Sequence, residues 1–331
     1  MWYTRPMRAW RVHEFGAYSE VLKWEECPDP TPPAHGVLID VAASGVNFPD
    51  MLAIAGKYQI KAPLPFTPGV ELSGVVKAVG ASSKFEVGDR VVATAPWGAH
   101  AEQVAINDAT VLPIPDQMTD VHAAALMVTY QTSWVALTAR ARLEAGEVLL
   151  VHGGAGGVGS AAVQLGKILG ATVIATAGSD AKLQVCRDAG ADHVINYRET
   201  DFVAAVKEIT KGRGANVIYD PVGGDVFDKS TKCLAWSGRL LVIGFASGRI
   251  PEVQANRVLL KNIAIVGVHW GAYLLNEPQA ILDAHEALCN LYAEGKFAPI
   301  IYADMAQSEY PAALDALRGR ESYGKIVLHR G

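Results

Sequence analysis

Cysteine is scarce in this chain of 331 residues, and its four copies do not cluster. Cys27, Cys186, Cys233 and Cys289 form no CxxC pair, and their spacings are too wide for a zinc ribbon. They read as reduced thiols of a cytoplasmic protein, not as a disulfide framework. The nine histidines are scattered, none at an i, i+4 helix spacing, so they offer no metal signature. Charge is also thin. Only 19% of residues are charged, and 34 acidic against 29 basic side chains leave a net charge of −5. That balance argues against general binding to nucleic acid or to an anionic membrane surface. No run of about 18 apolar residues occurs, so no transmembrane helix is expected. The stretch Met1–Trp10 lacks the apolar centre of a secretory signal, and residues 1–6 are expected to form a loose extension before Met7.

Apolar residues, in contrast, make up half of the chain. The length exceeds what one hydrophobic core usually supports, so two domains are expected. Residues 1–126 hold most of the prolines and many short β-rich runs, such as Val37–Ala42, Leu72–Val79 and Arg90–Ala93, which describes an irregular, mostly β domain. From about residue 127 strands and helices alternate. Strands are predicted at Val148–His152, Thr172–Thr176, Val194–Asn196, Val217–Asp220, Arg239–Ile243 and Ile263–Val268. Helices are predicted at Gly159–Leu169, Asp180–Ala189, Phe202–Thr210 and Pro278–Gly295. Strands apolar on both faces, alternating with helices, predict an α/β fold with a doubly wound parallel sheet.

The clearest chemical signal is Gly153-Gly154-Ala155-Gly156-Gly157-Val158-Gly159, directly after the apolar run Val148–Val151. A GxGxxG pattern alone is weak, but here it follows a strand and opens a helix. Glycines allow a tight turn and let a pyrophosphate approach backbone amides at the positive end of the helix. Gly154, Ala155, Gly156, Gly157, Val158 and Gly159 are therefore the expected phosphate cradle of a nicotinamide cofactor. An NAD site usually ends its second strand with an acid that bonds the ribose 2′-hydroxyl. Here the strand ends near Ala177 without one, and Ser179 and Lys182 follow. With no carboxylate to repel a 2′-phosphate, Lys182 can pair with it, and Tyr197 can add a hydrogen bond. NADPH is thus favoured over NADH. Asp180, the nearby acid, is assigned to the helix N-cap.

These residues belong to a longer pattern: Ser44–Asp50, Thr67–Val76, Val87–Val91, Val217–Gly224, Gly244–Gly248 and the terminal Gly324–Leu328. Together they resemble the zinc-independent quinone oxidoreductase (zeta-crystallin-like) branch of the medium-chain dehydrogenase/reductase superfamily. The resemblance implies a GroES-like, mostly β catalytic domain built from both chain ends around a Rossmann domain. The expected division is 1–127, 128–269 and a return at 270–331. It also implies a homodimer, through Ile263–Val268. Zinc-dependent relatives carry Cys where Asn47 stands and His where Val70 stands, with a third ligand near Met127, so no metal is expected. The resemblance puts Asn47, Asp50 and Tyr58 in the catalytic centre. Asn47 is the expected donor to a substrate oxygen or the cofactor amide, and Tyr58 the expected proton donor. Asp50 also reads as structural. Leu52 departs from an aromatic common in the branch. Thr129, Thr132, Val222, Phe245, Val268 and Lys325 are placed on the cofactor. His269 and Trp270 are placed near the pocket wall.

Without a Lewis acid, oxidation of a simple alcohol is poorly supported, whereas a quinone or enone spreads incoming charge over its own oxygen. The expected activity is therefore NADPH-dependent reduction of a small quinone or similar conjugated carbonyl acceptor. Two alternatives stay open: reduction of an enone or 2-enoyl thioester, and a protein that only binds NADPH or RNA. The acidic balance gives RNA little support.

Overall fold

The computed structural model describes residues 6–330, so all of the expected extension except Pro6 lies outside the described residues. The chain begins with an antiparallel ribbon of β1 (Met7–Val12) and β2 (Leu22–Cys27). There follow β3 (Gly36–Val46), α1 (Phe48–Ile54), β4 (Glu71–Val79), β5 (Arg90–Thr94), β6 (Gln103–Asn107), β7 (Val111–Pro113) and the short α2 (Asp120–Ala124). The core under these strands is aliphatic, with Val37, Ile39, Val91, Ala93 and Val111 fully buried. Burying each larger side chain contributes roughly 1.5–3 kcal/mol.

The next segment alternates as predicted. It contains β8 (Val148–Val151), α3 (Gly157–Ile168), β9 (Thr172–Ala177), α4 (Asp180–Asp188), β10 (His193–Asn196), α5 (Phe202–Ile209), β11 (Ala215–Asp220), α6 (Gly224–Cys233), β12 (Leu234–Val242), α7 (Ala255–Lys261) and β13 (Ala264–Gly267). The six strands are all parallel, in the order β10-β9-β8-β11-β12-β13. The order reverses between β8 and β11, which is the switch point where doubly wound sheets bind ligands at their strand ends. Leu149, Leu150, Val173, Ile174, Val217 and Ile218 are wholly buried, which explains why these strands read as unbroken apolar runs. On α3 the small residues Gly159, Ala161, Ala162 and Gly166 are buried, so the helix lies close on the sheet.

The chain continues through α8 (Trp270–Asn276) and α9 (Pro278–Ala293), then β14 (Ile301–Ala306), α10 (Tyr310–Arg318) and β15 (Lys325–His329). β14 pairs parallel with β15, and β15 pairs antiparallel with β3, completing a seven-stranded sheet β14-β15-β3-β4-β5-β7 with β6 alongside β3. Two compact units result. One holds the chain up to Met127 with Tyr292–Glu294 and the residues from Ile301 onward; the other holds Val128–Leu291 and Gly295–Ile300. The expected return at residue 270 is corrected: it falls near Ile301. α9 stays with the Rossmann unit because Ile281, Ala284, His285 and Leu288 form its buried face, and His285 Nδ1 meets Gln131 Nε2 at 3.4 Å.

Candidate functional site

In the Rossmann unit, each loop glycine has a spatial reason. Gly153 turns with φ +59°, in the left-handed region that favours glycine. A Cβ on Gly154 would lie 2.8 Å from Ala175 Cβ, and one on Gly159 would lie 2.1 Å from the Gly153 carbonyl oxygen. The turn therefore closes only without side chains. Gly156 is the N-cap of α3, and the first bond of the helix runs from Ser160 N–H to Gly156 O at 2.8 Å. The N–H groups of Gly157, Val158 and Gly159 have no partner in the helix's own ladder, as a first turn requires. They present donors and the positive dipole end to an anion. These features fit a dinucleotide pyrophosphate.

At the end of β9, Ala177 is buried and no acid is present. Ser179, not Asp180, is the N-cap of α4; Asp180 is its first helical residue, where its charge favours the helix. Lys182 follows on the same turn, half-buried. Tyr197 leans over Gly178, where a Cβ would lie 2.6 Å from its hydroxyl. Asp220, at the end of β11, is buried and accepts hydrogen bonds from Val222 N–H at 2.8 Å and Gly223 N–H at 3.0 Å, which fixes the loop carrying Val222. Burial holds its carboxyl above the usual carboxylate range, and the two N–H groups oppose that shift. Phe245 is partly exposed after β12, and Val268 follows β13 with its N–H bonded to Val242 O. Thr129 and Thr132 are buried. Trp270 is buried too, its Nε1 donating to Gln131 Oε1 at 3.2 Å, while His269 is exposed at the start of α8.

The GroES-like unit holds a buried polar cluster that bears on the expectations for Lys325, Asn47 and Asp50. Lys325 was placed on the cofactor, but its three ammonium protons already have acceptors: Glu71 Oε1 at 2.7 Å, Asn47 Oδ1 at 2.8 Å and Val46 O at 3.0 Å. Asn47 was expected to donate outward. Both its amide protons point inward instead, to Glu71 Oε1 at 2.9 Å and Gly45 O at 3.1 Å. Asp50 closes the start of α1, where Asn47 is the N-cap and Pro49 stands in the first turn: its Oδ2 accepts the Asn47 backbone N–H at 2.8 Å. The same oxygen meets His100 Nε2 at 3.3 Å, and His100 Nδ1 meets Ser44 Oγ at 2.9 Å. Asn47 and Asp50 thus hold the start of α1 through these bonds. Ser44, Glu71 and His100 escaped the sequence reading. Glu71 left one signal, a carboxylate at the head of a mainly apolar strand.

Tyr58 differs from these. It is half-buried beyond α1, and its hydroxyl makes no hydrogen bond among the described residues. Burial, then the negative charge of Asp50, pushes its phenol above the ordinary tyrosine value, so it keeps its proton at neutral pH. Leu52 carries no hydroxyl or ring, and its carbonyl holds the Tyr58 N–H at 3.1 Å. At the positions where zinc-dependent relatives carry ligands stand Asn47, half-buried Val70 and buried Met127. None offers a thiolate or imidazole.

Comparison with known proteins agrees with this geometry. Residues 33–116 match the alcohol dehydrogenase GroES-like domain family, and residues 157–286 match the family described as zinc-binding dehydrogenase. Quinone oxidoreductase-like protein 2 of Mus musculus is 38% identical over 92% of this chain and 87% of its own. Quinone oxidoreductase of Homo sapiens is 34% identical over 97% of both chains. Among solved structures, mycobacterial Rv1454c complexed with NADPH superposes with a TM-score of 0.90 at 32% identity, covering 98% of this chain and 99% of that one. The CurK enoyl reductase superposes at 0.88 with 28% identity over the same shares.

Proposed function

The chain belongs to the quinone oxidoreductase branch of the medium-chain dehydrogenase/reductase superfamily, and from that premise we propose that it is an NADPH-dependent reductase of a small quinone or a similarly conjugated carbonyl acceptor. The observation that carries the reading is the phosphate cradle at the start of α3, joined to a second strand, β9, that ends without an acid. When bound, NADPH supplies a hydride. The loop N–H groups from Gly157 to Gly159 would hold its pyrophosphate, and Ser179, Lys182 and Tyr197 would meet its 2′-phosphate. An acceptor whose conjugation spreads the incoming charge needs little further stabilisation from the protein. Tyr58 of the GroES-like unit holds a proton at its phenol oxygen and is the proposed donor to the reduced acceptor.

The test is NADPH oxidation followed with 1,2- and 1,4-quinones, enals and enoyl thioesters. Turnover highest with quinones supports the proposal. Preference for enoyl thioesters favours the second reading, which the likeness to an enoyl reductase keeps in view. No turnover with any acceptor refutes both.

We also propose a homodimer. β13 is a free edge of the parallel sheet, flanked by Leu259, Leu260 and Leu275, which are 73–88% exposed. A short sheet edge with exposed leucines beside it is a surface suited to pairing with a second copy.

A further inference from the structure

We propose that Arg198 is a specificity-determining residue for the cofactor, a ligand of the 2′-phosphate that acts beside Tyr197 above Gly178. This inference rests on the NADPH reading above and deepens it. Gly178 directly follows β9, at the place where an NAD-specific chain presents its acid. Its backbone is not in the left-handed region, so conformational need does not explain the glycine. Space does. A Cβ there would lie 2.6 Å from the Tyr197 hydroxyl and 3.1 Å from Arg198 Nε. The absent side chain lets a phenol and a guanidinium converge on one backbone position.

Among the described residues nothing uses that guanidinium. Arg198 is exposed, and its side chain makes no hydrogen bond or ion pair among the described residues; only its backbone N–H is engaged, with Asn196 Oδ1 at 3.1 Å. Other arginines here hold carboxylates or carbonyls, as Arg239 does with Glu147 and Arg90 with Asp120. Arg198 also lines a surface groove with Tyr197, Thr200 and Lys229 and with the acids Glu199 and Asp201, the latter turned to the Val203 N–H, so the groove is mixed in charge and the phosphate contact rests on the guanidinium and phenol above Gly178. A planar guanidinium offers paired N–H donors that match phosphate oxygens, and ribose without the phosphate gives it little to hold. Arg198 therefore discriminates between the two nicotinamide cofactors more than it strengthens binding of both.

The experiment is a fluorescence titration of the purified chain with NADPH and with NADH, for the wild type and for Arg198→Gln, at one fixed ionic strength. The substitution is on the surface and breaks no internal bond. The expected result is a Kd for NADPH raised tenfold or more, with the Kd for NADH within twofold. A wild type that prefers NADPH, with that preference unchanged in Arg198→Gln, overturns the assignment and leaves the cofactor reading standing. A parallel loss for both cofactors overturns it as well, since that reports damage to the loop. A wild type with equal affinity for both overturns the cofactor reading and this inference with it.

Discussion

Replacing Lys325 by methionine separates the two roles open to this lysine. In the structure its ammonium group is buried and bonded to Glu71, Asn47 and Val46 O. Methionine fills similar space and removes all three donors. Glu71 then stays fully buried with its charge, keeping the Asn47 amide as one donor. Removing one member of a buried pair costs on the order of 3–5 kcal/mol, because the remaining charge is uncompensated. For a unit of this size each kcal/mol moves the melting midpoint by roughly 2–4 °C, so a fall of about 6–20 °C is expected. Thermal and urea unfolding followed by circular dichroism measure it. The double variant Lys325→Met/Glu71→Gln removes the stranded charge and is expected to be more stable than the sum of the single losses by about 1 kcal/mol or more. Well below the melting range, NADPH affinity should stay within twofold of wild type, whereas loss of a phosphate ligand would weaken it about tenfold or more. Stability within about 1 kcal/mol of wild type, together with a tenfold loss of NADPH affinity, would refute the structural role.

Other substitutions probe the remaining groups. His152 lies fully buried between Thr176 and Ser230, and burial lowers its pKa to about 3. The unfolded chain takes up a proton below about 6.5 that the folded chain refuses, so stability falls with pH between 6.5 and 3, by about 2–3 kcal/mol at pH 4.5. Urea midpoints at pH 7 and 4.5 should show that loss, and His152→Gln should reduce it; an equal pH dependence in the variant contradicts the assignment. Tyr58→Phe is expected to lower kcat by about tenfold or less, since solvent can replace the proton it gives, and unchanged kcat would return Tyr58 to a packing role. Gly159→Ala places a methyl group against the Gly153 carbonyl and should raise the Kd for NADPH at least about tenfold, by titration, while Gly156→Ala, whose Cβ meets nothing nearer than 3.3 Å, should cost less. In sedimentation, Leu259→Asp/Leu260→Asp should give monomers where the wild type gives dimers, and a monomeric wild type would remove the proposed interface.

What the sequence displayed was local. The central strands β8, β9 and β11 were readable because they are buried on both faces and so are largely apolar, as in Val173–Ala175, whereas the edge strands β10 and β13 are only partly buried. The phosphate loop was readable because its constraints fall within seven consecutive residues. The one-turn to two-turn helices were not. α1 has only seven residues, and its start is set by Asn47, Pro49 and Asp50 rather than by an apolar period. The return to the GroES-like unit was placed too early because α9 is amphipathic and gives no sign, from its own residues, of which core it covers.

The polar cluster was hidden for a different reason. Lys325 meets Glu71 across 254 residues and Asn47 across 278, so no window along the chain contains the partnership. Each member, taken alone, suggests chemistry, because a lone lysine, asparagine or aspartate in a family motif reads as a free functional group. The structure reverses this. Where every donor and acceptor is satisfied inside the unit, the side chain fixes a backbone, as Lys325 and Asn47 do. Where a polar side chain stays unpaired among the described residues, as at Tyr58 and Arg198, it is available for the roles proposed above. The sequence pattern marks the region of the site, and hydrogen-bond satisfaction within it separates the residues that build the site from those able to act in it.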